Sequence, residues 1–541
     1  MRLCKRGLVA LLLAGAALAL YWPSLHNPTF FDDVMLLEGG RAYSFFLNGF
    51  SFSPRWLPYI TIAWVEVLFD DGLFVQRLFN LGLHLITAYV LYRLVIQVSD
   101  YVAPHRNNTR AALAAATIFL LHPLAVYAVG YIIQRSILMA TLFGLLSISA
   151  YFEGLVKQER AQFWFAGMFY LLSAFSKEHA VLVPAAALAL TPLAGVINRQ
   201  MLIKIRLPVA LFLMVSALVA YLNFHLIGQA YEPFAQRMVF DSACGAQDTC
   251  LWVLSVLTQA TLYFKYLGLM LWPDPVYMSI DIRLPVARGF DQTVYWLGFV
   301  FLIGYCVAAT MLLFRRGRLG LLGYALLAPL LLFAVEFSAV RVQEPFVLYR
   351  TYLWLPLLLL ALPVLSNFLP NKSFWVLLVA VGAGLAWASN DRLHSFSSVF
   401  RLWDDAAKKL SNPLMPGAGR IYVNRGEIYL QTRQYDLALA DYSRAVKTDP
   451  QFELGYRGKI FSQIGGGDLQ GAAQSAQVYL GLQPNNPDVY KSRGHVRYAM
   501  GDMVNARLDF ERGCVKDPFP QLCVEVAMRL SSKIGVREAI N

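Results

Sequence analysis

Ionisable and polar side chains interrupt or follow long apolar stretches of this sequence, and these are the residues suited to chemistry. Two adjacent acids, Asp32 and Asp33, follow the first apolar stretch. Further candidates follow later stretches: His122, Gln134, Arg135, Lys177, Glu178, Tyr349, Arg350 and Tyr352. A carboxylate is the simplest general base for a hydroxyl group, and arginine or lysine can bind phosphate oxygens. Together, such groups can hold an anionic, lipid-linked donor and deprotonate an acceptor.

Each candidate also has a purely structural interpretation. Adjacent acids in a loop are commonly solvated or cap a helix, and Lys177 and Glu178 can form an ion pair at a membrane surface. Arg135 and Arg350 can extend their charged ends to lipid headgroups. His122 precedes a proline, which is a typical position for a helix-end cap. The residue types alone leave both interpretations open.

The composition is that of a membrane protein. Of 541 residues, 57% are hydrophobic and 15% are charged, whereas soluble proteins average roughly 25% charged. The apolar runs fall in residues 1–390 and have the length of roughly 20 residues that a bilayer crossing requires. The net charge of +12 comes largely from short Lys/Arg clusters between these runs, which act as topology signals. The chain lacks the long basic stripe of a nucleic-acid-binding protein.

The basic loops predict eleven membrane-spanning helices. Lys5 and Arg6 place the N-terminus inside, and the flank after the first run favours an uncleaved helix over a signal peptide. The run Leu251–Trp272 contains polar residues, and a full crossing there would put the basic cluster at 315–318 outside. We therefore predict that this run does not cross. Residues 389–541 and every candidate above then lie on the outer face.

Two close cysteine pairs fall on the predicted outer side. Cys244 and Cys250 share one loop, and Cys514 and Cys523 flank a turn near the C-terminus. Disulfides persist in oxidising compartments, so we expect both pairs to be disulfides, with free thiols as the alternative. No histidine cluster accompanies either pair, which argues against a zinc site.

The C-terminal part repeats with a period of 34 residues. Three positions hold this spacing: Tyr422, Tyr456 and Tyr490; Ala438, Ala472 and Ala506; Pro450, Pro484 and Pro518. This period predicts tetratricopeptide helix pairs at 419–452, 453–486 and 487–520, followed by a capping helix. The predicted fold class is all-α: a membrane helical bundle at 1–390, an amphipathic linker at 391–418 and an α-solenoid at 419–541. The solenoid is either a spacer or a groove for a protein partner or acceptor.

Several short motifs resemble a known family in their order. They are Phe31-Asp32-Asp33, His122-Pro123 with Gln134-Arg135, Ser176-Lys177-Glu178, Trp272-Pro273, Tyr349-Arg350-Thr351-Tyr352-Leu353 and Arg401-Leu402-Trp403-Asp404-Asp405-Ala406. With the repeats, this layout is similar to the transmembrane-and-tetratricopeptide-repeat O-mannosyltransferases and their bacterial relatives. Those proteins are glycosyltransferases of the GT-C fold, which use polyprenyl-phosphate sugars.

The resemblance implies roles for individual residues. Asp32 would be the catalytic base, with Asp33 the next candidate, and Arg135, Lys177 and Arg350 would hold the donor phosphate. His122, Gln134, Glu178, Tyr349 and Tyr352 would support them. The Tyr-Arg-Thr-Tyr motif departs from the Glu-Arg form of the animal members, which leaves the donor sugar open. A bacterial member would lie in the inner membrane, with its repeats in the periplasm.

Two other functions remain open at this point. An oligosaccharyltransferase or glycan ligase would use a diphosphate-linked donor and a divalent metal, Mg²⁺ or Mn²⁺, on carboxylates such as Asp32, Asp33 and Glu178. A monophosphate donor requires no metal cofactor. A membrane-anchored repeat scaffold for envelope assembly would require no base at all. A transporter would place functional charges at the bilayer midplane, whereas these charges cluster near the ends of the apolar runs.

Overall fold

The computed structural model describes residues 2–38, 40–51, 54–69, 72–104, 108–195, 198–224, 227–228, 248–342, 344–366 and 369–535. These residues are predominantly helical and contain no extended strand. The chain divides into two compact units, and the first consists of Met1–Ile280 and Val286–Ser398. The second consists of Asp281–Pro285 and Val399–Asn541. The predicted all-α class is confirmed.

The first unit contains the apolar helices. They are α1 Arg2–Tyr21, α2 Asp32–Leu37, α3 Arg41–Asn48, α4 Trp56–Leu68, α5 Gly72–Val102, α6 Asn108–Leu121, α7 Pro123–Val129, α8 Arg135–Lys157, α9 Arg160–Ser176, α10 Val183–Leu188, α11 Thr191–Ala194, α12 Arg199–Leu222, α13 Asp248–Leu271, α14 Thr293–Leu313, α15 Gly317–Phe333, α16 Thr351–Leu358, α17 Leu362–Ser366 and α18 Asn371–Ser395. Short 3-10 turns at Ile132–Gln134, Glu178–Leu182, Ala334–Ser338 and Leu348–Arg350 connect several of them.

Several of these helices are long and apolar enough to span a membrane. Within the described residues, seven helical segments meet that requirement, and the bent pair α6–α7 would make eight. The pair bends by 59° at His122, where Pro123 lacks the amide hydrogen that would continue the helix. Helix α13 is continuous over 24 residues but is not among the seven segments. The predicted number of eleven spans stays a prediction.

Helix α5 has a buried polar face that fixes the neighbouring loops. Its members recur at helical spacing: Gln76, Arg77, Asn80, His84 and Thr87. Arg77 donates to the carbonyl oxygen of Pro28 over 2.6 Å, just before the adjacent acids. Asn80 accepts a 2.8 Å hydrogen bond from Arg135. Because buried polar groups are stable only when they are paired, this face dictates where the two loops lie.

The second unit is a helical array. Its helices are α19 Val399–Lys408, α20 Gly419–Gln431, α21 Tyr435–Thr448, α22 Glu453–Gly465, α23 Leu469–Leu482, α24 Pro487–Ala499, α25 Met503–Gly513 and α26 Pro520–Gly535. Helices α20 to α25 form three antiparallel pairs in register with the 34-residue period. A Cβ atom at Gly458 would lie 2.0 Å from the ring of Tyr442. Close packing between successive pairs therefore requires glycine at that position.

Ion pairs and a disulfide stabilise this unit. Arg425 binds Asp441 with two hydrogen bonds of 2.7 and 2.8 Å, and Arg493 binds Asp509 in the same way two periods later. Asp281 accepts from Arg283 and Arg420, which joins the segment Asp281–Pro285 to the array. Burial raises the pKa of Asp281, but the two guanidinium groups outweigh it, and the net shift is downward.

The predicted cysteine pairs differ in how much the structure describes. Cys514 and Cys523 form a disulfide that links the last repeat to α26. Cys250 is also disulfide-bonded. Cys244 lies outside the described residues.

Candidate active site

The two adjacent acids begin helix α2 and point in different directions. Asp32 is exposed and Asp33 is fully buried. The residue before them, Phe31, has φ 53° and ψ −121°. A bulky residue at positive φ costs on the order of 1–3 kcal/mol and persists only where the surrounding structure imposes it. The amide of Asp32 donates to the hydroxyl of Tyr131 over 3.0 Å, which is one such constraint.

Asp33 has the contacts of a structural residue. Its two carboxylate oxygens accept hydrogen bonds of 3.2 and 2.8 Å from the amides of Ile132 and Ile133. Burial raises the pKa of Asp33 to about 7, although these two amides and the charge of Arg77 act in the opposite direction. The side chain therefore fixes the loop before α8 onto the start of α2 and presents no oxygen to solvent.

Arg135 is buried and its guanidinium is largely occupied. It donates from Nε to Asn80 over 2.8 Å and from Nη2 to the side-chain and backbone oxygens of Gln76 over 2.6 and 2.9 Å. Nη1 lies 3.4 Å from the hydroxyl of Thr61, and the ring of Phe79 covers the group at 4.4 Å. In this arrangement the predicted phosphate ligand Arg135 is part of the scaffold beneath the site.

Lys177 is a cation without an acidic partner. Its Nζ donates to Gln134 Oε1 over 2.7 Å and to Ser136 Oγ over 3.3 Å, and it lies 4.4 Å from the ring centre of Tyr349. Among the described residues no carboxylate lies within ion-pair distance of it. Burial lowers the pKa of the Lys177 ammonium well below its usual range, and the charge of Arg55 adds to this effect. The nearby charge of Asp32 acts in the opposite direction.

Arg350 and Glu178, two further predicted residues, are each in an ion pair with a residue that sequence reasoning missed. Arg350 Nη1 lies 2.6 Å from Glu336, which is fully buried. Glu178 binds Arg55 through both carboxylate oxygens, one of them at 2.9 Å from Arg55 Nε. Arg55 is also a non-glycine residue at positive φ, 63°. An acid inside an apolar run is a functional candidate by default, so Glu336 could have been found from the sequence. Arg55 carried no such signal.

The remaining predicted residues separate into two groups. Gln134 and Tyr349 contact Lys177 and so belong to the same cluster. His122 caps α7, since its Nδ1 accepts from the amide of Leu124 over 3.2 Å. The hydroxyl of Tyr352 lies 2.8 Å from His84 Nδ1, on the polar face of α5. His122 and Tyr352 therefore stabilise the helices around the site.

The described residues contain no group of three or more His, Cys, Asp or Glu side chains arranged to hold a metal ion. Asp33 is engaged by two amides, and Glu178 by Arg55. The carboxylates that a metal-dependent mechanism would use thus have other partners in this arrangement.

Asparagine at position 33 is expected to destabilise the protein. The amide of Asp33→Asn places an N–H group opposite a backbone N–H, which costs about 1–3 kcal/mol for the buried donor left without an acceptor. The raised pKa means that the folded protein retains this proton between about pH 4 and pH 7, so the contribution of Asp33 to stability falls as the pH rises through that range. The loss caused by the substitution should therefore be larger at pH 5 than at pH 8.

Thermal unfolding of the full chain in detergent measures this loss. The matched control is Asp32→Asn, whose exposed side chain should change stability by less than about 0.5 kcal/mol. Equal shifts for the two variants would show that Asp33 does not hold the loop.

Comparisons with known proteins bear on the C-terminal unit. Residues 419–452 match the family model of the tetratricopeptide repeat. Serine/threonine-protein phosphatase 5 of Mus musculus is 28% identical over 120 residues, which cover 20% of this chain and 24% of that protein. The chain thus spans about a quarter of the length of this relative. The predicted repeat at 419–452 is confirmed, and this chain is, in its C-terminal part, a tetratricopeptide-repeat protein.

Proposed function

We propose that the chain is an integral-membrane glycosyltransferase of the GT-C type. It transfers a sugar from a polyprenyl-phosphate donor to a hydroxyl acceptor on the periplasmic face of a bacterial inner membrane. Asp32 deprotonates the hydroxyl as it attacks the anomeric carbon, and the polyprenyl phosphate leaves, so the configuration inverts. A protein is the acceptor class that the repeats favour, because solenoid arrays present extended binding surfaces to proteins.

One observation carries this proposal: an exposed carboxylate and an unpaired buried cation occupy the same cluster. Asp32 follows the strained backbone of Phe31, and its charge stabilises the ammonium of Lys177. A buried cation without a carboxylate is costly, unless an anion arrives to compensate it. A general base beside an anion site is the minimum that transfer from a phosphate-linked sugar requires.

The contacts also distinguish among the candidate residues. Asp32 suits the base better than Asp33, because both oxygens of Asp33 are occupied by amides. Lys177 suits the phosphate better than Arg135 or Arg350, because Arg135 is bound by neutral acceptors and Arg350 by Glu336. Gln134 and Tyr349 position the Lys177 ammonium.

The outer loop beside the acids has the surface that a lipid-linked donor requires. Large apolar side chains are exposed on and near α2 and α3: Met35, Tyr43, Phe46, Leu47 and Phe50. Such a surface is unfavourable in water and favourable against lipid. A polyprenyl chain lying along it would bring its phosphate close to Asp32.

Transfer by isolated membranes tests the proposed activity. Membranes from cells that express the chain, and from cells that lack it, are incubated with radiolabelled polyprenyl-phosphate sugars. We expect label in an acceptor only where the chain is present, and no loss of label in EDTA because a monophosphate donor needs no metal. Label that is lost in EDTA and restored by Mn²⁺ or Mg²⁺ would favour a diphosphate donor. No transfer from any sugar would contradict the proposal.

A further inference from the structure

The repeat array contains a groove of about 600 Å³. Residues one period apart line it in two rows, the first formed by Val423, Arg457 and Lys491 and the second by Glu427, Phe461 and His495. The groove is therefore built from the same positions of each helix pair. Its chemistry changes from one pair to the next because those positions hold different residues.

Arg457 stands out among the arginines of the array. It is exposed, and it forms no hydrogen bond or ion pair with another described residue. Arg425 and Arg493, by contrast, each bind a buried aspartate with two hydrogen bonds. Those arginines stabilise helix pairs, whereas the guanidinium of Arg457 is available to a ligand in the groove.

Lys491 extends the basic character to the next helix pair. The nearest carboxylate, that of Asp488 on the same helix, lies 3.7 Å away and is itself half exposed. A surface pair of this kind contributes little and is easily exchanged for another acid. The acid at the opposite end, Glu427, already accepts hydrogen bonds from Tyr442 and Gln431. The open electrostatic demand of the groove is therefore for negative charge.

The second row supplies an apolar surface. The ring of Phe461 lies 5.0 Å from that of His495, and Leu454, at the rim, is 43% exposed. Neighbouring helices pack about 8–10 Å apart. In an extended peptide, residues two apart lie on one side and are separated by about 6.6 Å, and residues three apart by about 10 Å. Two acidic side chains at either spacing can reach Arg457 and Lys491 together.

We propose that this groove binds an extended acidic segment of a partner protein. Two carboxylates of that segment, two or three positions apart, pair with Arg457 and Lys491, while an apolar side chain packs on Phe461. Arginine forms two parallel hydrogen bonds with one carboxylate, which makes Arg457 the main determinant of affinity. This inference rests on the array alone and does not depend on glycosyl transfer.

Peptide binding to the full chain in nanodiscs of neutral phosphatidylcholine tests the proposal. The probe is a fluorescein-labelled ten-residue peptide with two aspartates two positions apart and a leucine, and its counterpart has asparagines in place of the aspartates. Fluorescence anisotropy should show the acidic peptide binding at least about tenfold more tightly, which corresponds to loss of one charge-assisted hydrogen bond. Arg457→Glu should abolish that preference.

The matched control is Lys447→Glu, which changes the net charge equally at an exposed position that does not line the groove. It should bind the acidic peptide like the wild type. Equal affinity for the two peptides, or equal weakening by the two substitutions, would overturn the proposal. So would binding of anionic phosphatidylglycerol vesicles in place of the peptide by the wild type, lost in Arg457→Glu. Because no sugar donor is present, none of these outcomes depends on the transferase activity.

Discussion

Asp32→Asn is expected to lower the rate of sugar transfer by about 10²–10⁴-fold, the range that a positioned general base contributes. The amide cannot accept the proton of the attacking hydroxyl, while its size and hydrogen-bonding reach are retained. Because Asp32 is exposed and its backbone amide makes the contact with Tyr131, the substitution leaves that contact in place. The measurement is the rate of transfer by the purified chain in proteoliposomes, at saturating donor.

Two comparisons make the Asp32 result specific. Asp32→Glu keeps a carboxylate but displaces it, so it should retain more activity than Asp32→Asn. The unfolding midpoint of Asp32→Asn should match that of the wild type. If Asp32→Asn folds normally and transfers sugar at the wild-type rate, Asp32 is not the base, and a repeat scaffold anchored in the membrane becomes the better account.

Lys177→Met should reduce transfer by about 10²–10³-fold, the effect of removing one group that stabilises a developing charge. The methionine retains most of the apolar stem but removes the ammonium that compensates the leaving phosphate. Stability should change by less than about 1 kcal/mol, because relief from burying an unpaired cation offsets the two lost hydrogen bonds. Transfer kinetics against donor concentration, together with thermal unfolding, measure both effects.

Arg350→Met is the matched control for the Lys177 variant. It leaves the buried carboxylate of Glu336 without its closest cation, and breaking a buried ion pair in this way costs about 3–5 kcal/mol. Inactive but stable Lys177→Met beside unstable Arg350→Met is the expected pattern. Unchanged transfer in Lys177→Met, or unfolding as severe as that of Arg350→Met, would assign Lys177 to the scaffold instead.

The sequence was most informative where structure is local. Each tetratricopeptide unit is a helix pair within 34 residues, so Tyr422, Tyr456 and Tyr490 predict the array without knowledge of any distant contact. The apolar helices follow from the runs themselves, since length and composition decide whether a helix can cross a bilayer. The end of the membrane unit was harder to place. Helix α19, predicted within a linker, packs with the repeats.

The site was predicted in its residue types but not in its pairing. Asp32 and Asp33 are neighbours in sequence, and only the positions of Ile132 and Ile133 decide which one is buried. The partners of Glu178 and Arg350 come from segments more than ten residues away, Arg55 and Glu336, so their choice depends on tertiary packing. The strain at Phe31 likewise has no signature in composition or periodicity.

The anomeric configuration of the transferred sugar tests the account most directly. The purified full chain in proteoliposomes is given a polyprenyl-phosphate sugar of known configuration, and the linkage in the product is assigned by NMR. Direct attack by a hydroxyl that Asp32 deprotonates predicts the inverted configuration in every product molecule. A product of retained configuration would require a covalent intermediate and would contradict the role of Asp32 as a base.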